Sequence, residues 1–153
     1  MLERENITVV RSGAIVRSDG NYTYRSIERS DSYVQFNSSM LPEGMSLDNI
    51  LQLFEFLSPK YIILHGSSVS KIRYSLEGMS DLDLICVTHK AAFWSLTELY
   101  SSFHEQNTRL EVPLDISILT NSEFYSVIYG DTSLSVSMKK GFTILYRRDD
   151  HAK

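Results

Sequence analysis

Short apolar runs rich in β-branched residues are interspersed with polar residues over 7–36, a pattern that predicts β-strands. Short turns that contain Gly13 and Gly20 separate the apolar runs, as the turns of β-hairpins do. A connector with Pro42 and Gly44 ends this region. We therefore predict a β-rich N-terminal segment, whose strands are "ITVVR", "AIVRS", "NYTYRSI" and "SYVQF".

From residue 46 onward, stretches with the helical spacing of apolar residues alternate with short continuous apolar runs. Four helices are predicted here: 47–57, 90–105, one after Thr120, and a short one that ends near Gly141. The first three follow residues that can cap them, namely Ser46, Thr88, and Thr120 in a capping box with Glu123. Their predicted core residues are Leu47, Ile50, Leu51, Phe54, Leu57, Ala92, Leu96, Leu99, Phe103, Phe124, Val127 and Ile128.

The continuous apolar runs predict four buried strands: "YIILHG", "SDLDLICVT", "LEVPLDISIL" and residues 142–147. The order of elements is then helix, strand, strand, helix, strand, helix, helix, strand. This order predicts an α/β (α+β) fold, in which helices flank a mixed β-sheet. We divide the chain into an N-terminal β-hairpin or meander extension, 1–44, and a domain over 45–153; the alternative is one compact domain.

Composition and charge narrow the possible functions. The formal net charge is −4 and the sequence pI is about 5.5, which argues against sequence-independent binding along a polyanion. The only cysteine, Cys86, lies in an apolar run, and we interpret it as a small buried residue. No apolar run approaches the roughly 18 residues of a membrane span, and the N-terminus lacks a signal-peptide pattern. We therefore expect a cytoplasmic protein without membrane association.

Three aspartates carry the candidate chemistry. Asp81 and Asp83 are two residues apart at the start of a predicted strand, so both side chains face the same way. Asp115 lies within "PLDISIL", where an isolated ionised carboxylate costs several kcal/mol unless it is paired or binds a metal ion. If the two strands are neighbours, the three carboxylates converge. Oxygen ligands of this kind suit Mg²⁺.

A Gly-Ser pair precedes this acidic segment. Gly66 follows an apolar strand and allows a sharp turn with close approach of a ligand, and Ser67 offers a hydroxyl and an amide N–H to phosphate oxygens. Lys140, near the end of a predicted helix, is a further candidate for phosphate binding; its alternative role is to interact with the helix dipole. His65, directly before Gly66, is interpreted as a packing histidine.

These elements together resemble the nucleotidyltransferase superfamily typified by DNA polymerase β, in particular its minimal members. The similarity covers roughly residues 46–147. It consists of a strand that ends in Gly-Ser, 13 intervening residues, the segment "MSDLDLICV", and a third aspartate in "LDISIL". The chain departs from the family because no Arg-Gly pair follows the Gly-Ser; it has "SVSKIRYSLEG" instead.

The resemblance implies a nucleotidyltransferase-like fold and a two-metal transferase reaction. A nucleoside monophosphate would pass from a nucleoside triphosphate to an acceptor hydroxyl, with release of pyrophosphate. Asp81, Asp83 and Asp115 would be the catalytic residues and the ligands of Mg²⁺ or Mn²⁺. Gly66, Ser67 and Lys140 would bind the nucleotide. The acceptor would be a small molecule, a protein or an RNA end, and a homodimer or a partner protein could complete its binding site.

The residues leave other interpretations open. Asp81 and Asp83 could be turn residues before a strand, Ser67 could be only a turn residue, and Asp115 could form a buried salt bridge with Arg73 or Arg109. A protein of this fold could also be catalytically silent and act as an antitoxin-like or regulatory binding partner, or as a nucleotide sensor.

Overall fold

A computed structural model describes residues 2–4, 7–11, 27–75, 81–106 and 112–148. The strands are β1 (Leu2–Arg4), β2 (Ile7–Arg11), β3 (Tyr61–His65), β4 (Leu82–Val87), β5 (Leu114–Leu119) and β6 (Phe142–Arg147). The helices with four or more described residues are α1 (Leu47–Phe54), α2 (Ser67–Ser70), α3 (Leu96–Gln106), α4 (Asn121–Ile128) and α5 (Ser133–Lys139). Short 3₁₀ turns lie at Ser38–Met40, Glu55–Leu57 and His89–Ala92. Over these ranges, no helix is long and apolar enough to cross a bilayer.

One six-stranded mixed sheet organises the molecule, with the strand order β1-β2-β5-β4-β3-β6. Strands β2, β5 and β4 are parallel to one another, whereas β3 is antiparallel to both of its neighbours, β4 and β6. The C-terminal end of β3 therefore meets the N-terminal starts of β4 and β6 at one edge of the sheet, and β5 begins beside β4. The predicted mixed sheet with flanking helices is confirmed.

Each face of the sheet carries its own hydrophobic cluster because side chains alternate along the strands. On one face, α1 and α3 pack through Ile50, Leu53, Phe54, Leu99 and Phe103. On the other face, α4 and α5 pack through Phe124, Val127 and Met138. Cys86 is fully buried in the first cluster, as its sequence context predicted.

Most helix and strand predictions from residue 46 onward are confirmed. Helix α1 begins after Ser46 in a reciprocal capping box with Asn49 and continues as a 3₁₀ turn to Leu57. Helix α4 begins after Thr120, whose side chain accepts from the Glu123 N–H while Glu123 accepts from the Thr120 N–H. The segment before Gly141 is helical and β6 occupies 142–147, both as predicted; the alternating Leu134, Val136 and Met138 would also have allowed a strand before Gly141.

The predicted helix over 90–105 is correct only in its second half. Thr88 caps a 3₁₀ turn, and α3 begins at Leu96 because Ser95 and Glu98 form their own reciprocal pair of capping hydrogen bonds. Ala92, predicted to face the core, is exposed, and its neighbour Ala91 is buried instead.

The N-terminal predictions have mixed outcomes. "ITVVR" is a strand, and it joins the main sheet beside β5. The predicted strand over 14–18 and most of the one over 21–27 lie outside the described residues. The predicted strand "SYVQF" is wrong. Within the described ranges, its only ladder contact is a single bridge from Tyr33 to Phe142, and the chain before it turns through backbone hydrogen bonds from Ser30 to Ile27 and from Tyr33 to Ser30.

Candidate functional site

Asp83 and Asp115 lie side by side at the edge of the sheet where β4 and β5 begin. They are direct register partners on neighbouring parallel strands, which are typically about 4.8 Å apart, so their side chains share one face of the sheet. His65, the last residue of β3, is the register partner of Asp83 on its other side. We call Asp83 and Asp115 the aspartate pair. The sequence predicted that these carboxylates converge if the two strands are neighbours, and β4 and β5 are neighbours.

Asp81 lies just before β4 and is exposed. Its charge nevertheless reaches Asp83, whose pKa it helps to raise. Within the described part of the chain, no three His, Cys, Asp or Glu side chains are close enough to form a metal cage. The structure therefore brings the aspartate pair together and leaves Asp81 near it, on the solvent side.

The ionised form of Asp83 is electrostatically unfavourable beside its acidic neighbours. Burial, then the negative charge of Asp115, then that of Asp81, raise the pKa of Asp83 to about 7. Among the described residues, Asp83 has neither a hydrogen bond nor an ion pair to offset this. A hard cation would supply the missing positive charge, and the carboxylate oxygens present are the ligands that Mg²⁺ or Mn²⁺ prefers. The donor chemistry thus fits the expected metal.

Gly66, directly after β3, lies against Asp83. Its φ of +92° favours glycine, and a Cβ built at this position would overlap Oδ2 of Asp83 and lie 3.1 Å from its Cγ. The main chain therefore passes against the carboxylate of Asp83 at a distance that only glycine allows. Ser67 follows as the first residue of α2 and is partly exposed. The Gly-Ser pair and the Asp-x-Asp segment, 13 residues apart in sequence, are thus in contact.

Lys140 is on the same edge of the sheet. It ends α5, and its backbone N–H donates to carbonyl oxygens of that helix. The next residue, Gly141, lies beside Val69 and Ser70 of α2, since an added Cβ would lie 3.5–3.6 Å from them, in ordinary van der Waals contact. The backbone of Lys140 therefore lies beside the Gly66–Ser70 turn, and its side chain is exposed.

His65 is a packing histidine, as predicted. It is only 6% exposed, and its Nδ1 is 2.8 Å from Ser137 Oγ on α5. Burial lowers its pKa to about 4, so the imidazole is neutral at pH 7.

Sequence reasoning missed Tyr74, which lies near the acidic segment. Burial, and then the charge of Asp81, raise the pKa of Tyr74. The backbone N–H of Tyr74 also donates to the Ser39 carbonyl, 2.9 Å away. Nothing in the sequence indicates the hydrogen bond between Tyr74 and Ser39, because the two residues are 35 positions apart.

Of the two proposed salt-bridge partners of Asp115, Arg73 is exposed and Arg109 lies outside the described residues.

Comparison with known proteins adds no further constraint: no family model, no curated protein and no solved structure matches this chain.

Proposed function

We propose that this protein is a metal-dependent nucleotidyltransferase, which moves a nucleoside monophosphate from a nucleoside triphosphate to an acceptor hydroxyl. The observation that carries the proposal is the arrangement of the aspartate pair, in register on β4 and β5, with Gly66 closed against Asp83. A raised pKa at Asp83 supports it, because uncompensated carboxylates of this kind are enriched at functional sites.

The residues would act as follows. The N–H of Gly66 and the hydroxyl of Ser67 would bind phosphate oxygens, and Lys140 would add positive charge nearby. The acceptor oxygen would form a bond to the α-phosphorus while the bond to the bridging α,β-oxygen breaks, so that pyrophosphate leaves. Asp115 would orient the acceptor hydroxyl and take its proton. Catalysis would then come mainly from positioning and charge stabilisation.

Mg²⁺ or Mn²⁺ would bind to Asp83 and Asp115, with Asp81 as a further ligand. When bound, the ion supplies positive charge for the phosphate oxygens and lowers the pKa of a coordinated hydroxyl. No closed three-ligand cage is present among the described residues. The charges of Asp115 and Asp81 oppose ionisation of Asp83, and a bound cation would offset them.

A second candidate is a silent protein of the same fold that binds nucleotide, or a partner protein, without turnover. The observation that favours it is the same lack of a preformed cage in the described ranges, with Asp81 exposed.

A label-transfer experiment separates the two candidates. The protein is incubated with Mg²⁺, cell extract and each of four nucleoside triphosphates labelled at the α-phosphate. We expect label to become attached to an acceptor of one class: small molecule, protein or RNA end. Asp115→Asn should reduce transfer by at least about 10²–10⁴-fold, as the loss of a general base does. Asp48→Asn on α1 is the control and should transfer normally. Nucleotide binding without transfer to any acceptor would favour the silent candidate.

A further inference from the structure

Ile72 has an unfavourable backbone conformation and an exposed apolar side chain. Its φ is +58°, in the left-handed region that β-branched residues rarely enter. It stands just after Lys71, the C-cap of α2, where glycine is the usual residue. Half of its surface, 50%, is exposed, so burial offers little compensation for the strain. Strain at such a position points to a role outside the packing of the fold.

The surrounding structure holds Ile72 in this conformation. Its N–H donates to the Val69 carbonyl, 3.0 Å away. Its carbonyl accepts from the Ser39 hydroxyl, also at 3.0 Å, and the Ser39 carbonyl accepts from the Tyr74 N–H at 2.9 Å. Asn37 in turn accepts from the Ser39 N–H at 3.0 Å. The 3₁₀ turn at Ser38–Met40 therefore fixes the chain on both sides of residue 73.

The chain leads from Ile72 to the candidate site in both directions. The turn that it terminates begins at Gly66, whose backbone lies against Asp83. Two residues beyond Ile72, Tyr74 is close enough to Asp81 for that charge to affect its ionisation. The exposed side chain of Ile72 therefore stands at the far end of the turn that would bind the phosphates.

We propose that Ile72 is an apolar contact surface for the base of a nucleoside triphosphate whose phosphates lie at Gly66, Ser67 and Asp83. This inference rests on the proposed function. The face of every nucleobase is a π surface that can pack on an apolar side chain. Because an isoleucine side chain cannot form hydrogen bonds, the contact would hold all four bases with similar strength and leave base preference to other groups.

The test measures binding of MgATP, MgGTP, MgCTP, MgUTP and magnesium tripolyphosphate to the wild type and four variants by calorimetry. Ile72→Gly and Ile72→Asn remove the apolar surface with residues that tolerate a positive φ. Ile72→Leu keeps an apolar surface. Phe93→Ala removes a side chain that is 79% exposed beyond the opposite end of β4, and is the control.

We expect Ile72→Gly and Ile72→Asn to weaken all four triphosphates by about tenfold, the loss of a partly buried apolar contact. Tripolyphosphate should bind all variants equally, and Ile72→Leu and Phe93→Ala should bind nucleotides as the wild type does. The melting temperature of Ile72→Gly should equal or exceed that of the wild type, since the strain is relieved.

Two results would overturn the inference in distinguishable ways. Unchanged nucleotide affinity in both Ile72→Gly and Ile72→Asn, or an equal loss for nucleotides and tripolyphosphate, removes Ile72 as a base contact and leaves the proposed function standing. A wild type that binds neither nucleotide nor tripolyphosphate with Mg²⁺ refutes the proposed function and this inference together.

Discussion

At the scale of single residues, Asp83 shows how a functional group can oppose stability. Its folded-state pKa of about 7 lies above its ordinary value of 3.8, so the folded protein holds a proton that the unfolded chain has already released. The contribution of Asp83 to folding therefore becomes unfavourable as the pH rises from about 4 to about 7, and stays so above pH 7.

Asp83→Asn should accordingly stabilise the metal-free protein at pH 8 and change it little at pH 4. After allowance for solvent screening, we expect about 1–2 kcal/mol at pH 8. Thermal or urea unfolding at both pH values, with a chelator present, measures the effect. Asp48→Asn, at an exposed position of α1, is the matched control and should show no such pH dependence. If Asp83→Asn left the unfolding free energy at pH 8 unchanged or lowered it, the unfavourable environment assigned to the Asp83 carboxylate would be wrong.

Gly66→Ala tests the close approach of the main chain to Asp83. Gly66 and Gly44 both have positive φ values, +92° and +85°, but only Gly66 has atoms within 4 Å of an added Cβ. Alanine at either position would take a positive φ that residues with a Cβ rarely adopt, which should cost about 1–3 kcal/mol. Gly66→Ala should cost more than Gly44→Ala in urea unfolding, and it alone should displace Asp83 and weaken binding of Mg²⁺ with nucleotide. If Gly66→Ala and Gly44→Ala changed stability and binding equally, the contact between Gly66 and Asp83 would have no special role.

At the scale of elements, the capping boxes decide where helices begin. The Thr120–Glu123 pair orients α4 over the second face of the sheet, and Glu123 is only 8% exposed. Thr120→Ala should destabilise the protein by about 1 kcal/mol or more, because an N-cap is lost. Ser122→Ala, at an exposed position in the same helix, is the control and should stay within about 0.5 kcal/mol of the wild type. Equal unfolding free energies for the two variants would show that the cap is unimportant.

At the scale of the whole molecule, the edge of the sheet unites residues from β3, β4 and β5, so ligands that bind there should stabilise the entire fold. We expect Mg²⁺ or Mn²⁺ to raise the melting temperature when a nucleoside triphosphate is present. At 100 times the dissociation constant the gain is about 2.7 kcal/mol, or about 5 °C or more for a chain of this size. The double variant Asp83→Asn with Asp115→Asn should lose this shift, and Asp48→Asn should keep it. A shift of equal size in the double variant would place the metal elsewhere.

Local physical rules let the sequence determine most of the elements. Helix α1 follows from apolar spacing, Ser46 and Pro59, and β6 follows from an apolar run after Gly141. Where two local signals competed, prediction failed: Thr88 and Ser95 can both cap a helix, and only the hydrogen bonds of the folded chain show that α3 begins after Ser95. "SYVQF" has the composition of a strand, but its neighbours leave it a single bridge.

The candidate site, too, was only partly predictable from the sequence. The combination of a Gly-Ser pair, an Asp-x-Asp segment and an aspartate within an apolar run identified Asp81, Asp83, Asp115, Gly66 and Ser67 as candidates, although each of these features is common by itself. Only the tertiary structure decided that β4 and β5 are parallel neighbours in register, which puts Asp83 beside Asp115. The contact of Gly66 with Asp83 and the strain at Ile72 also arise from long-range pairing. Side-chain periodicity is a local property of the chain, whereas strand order and register depend on contacts between residues distant in sequence.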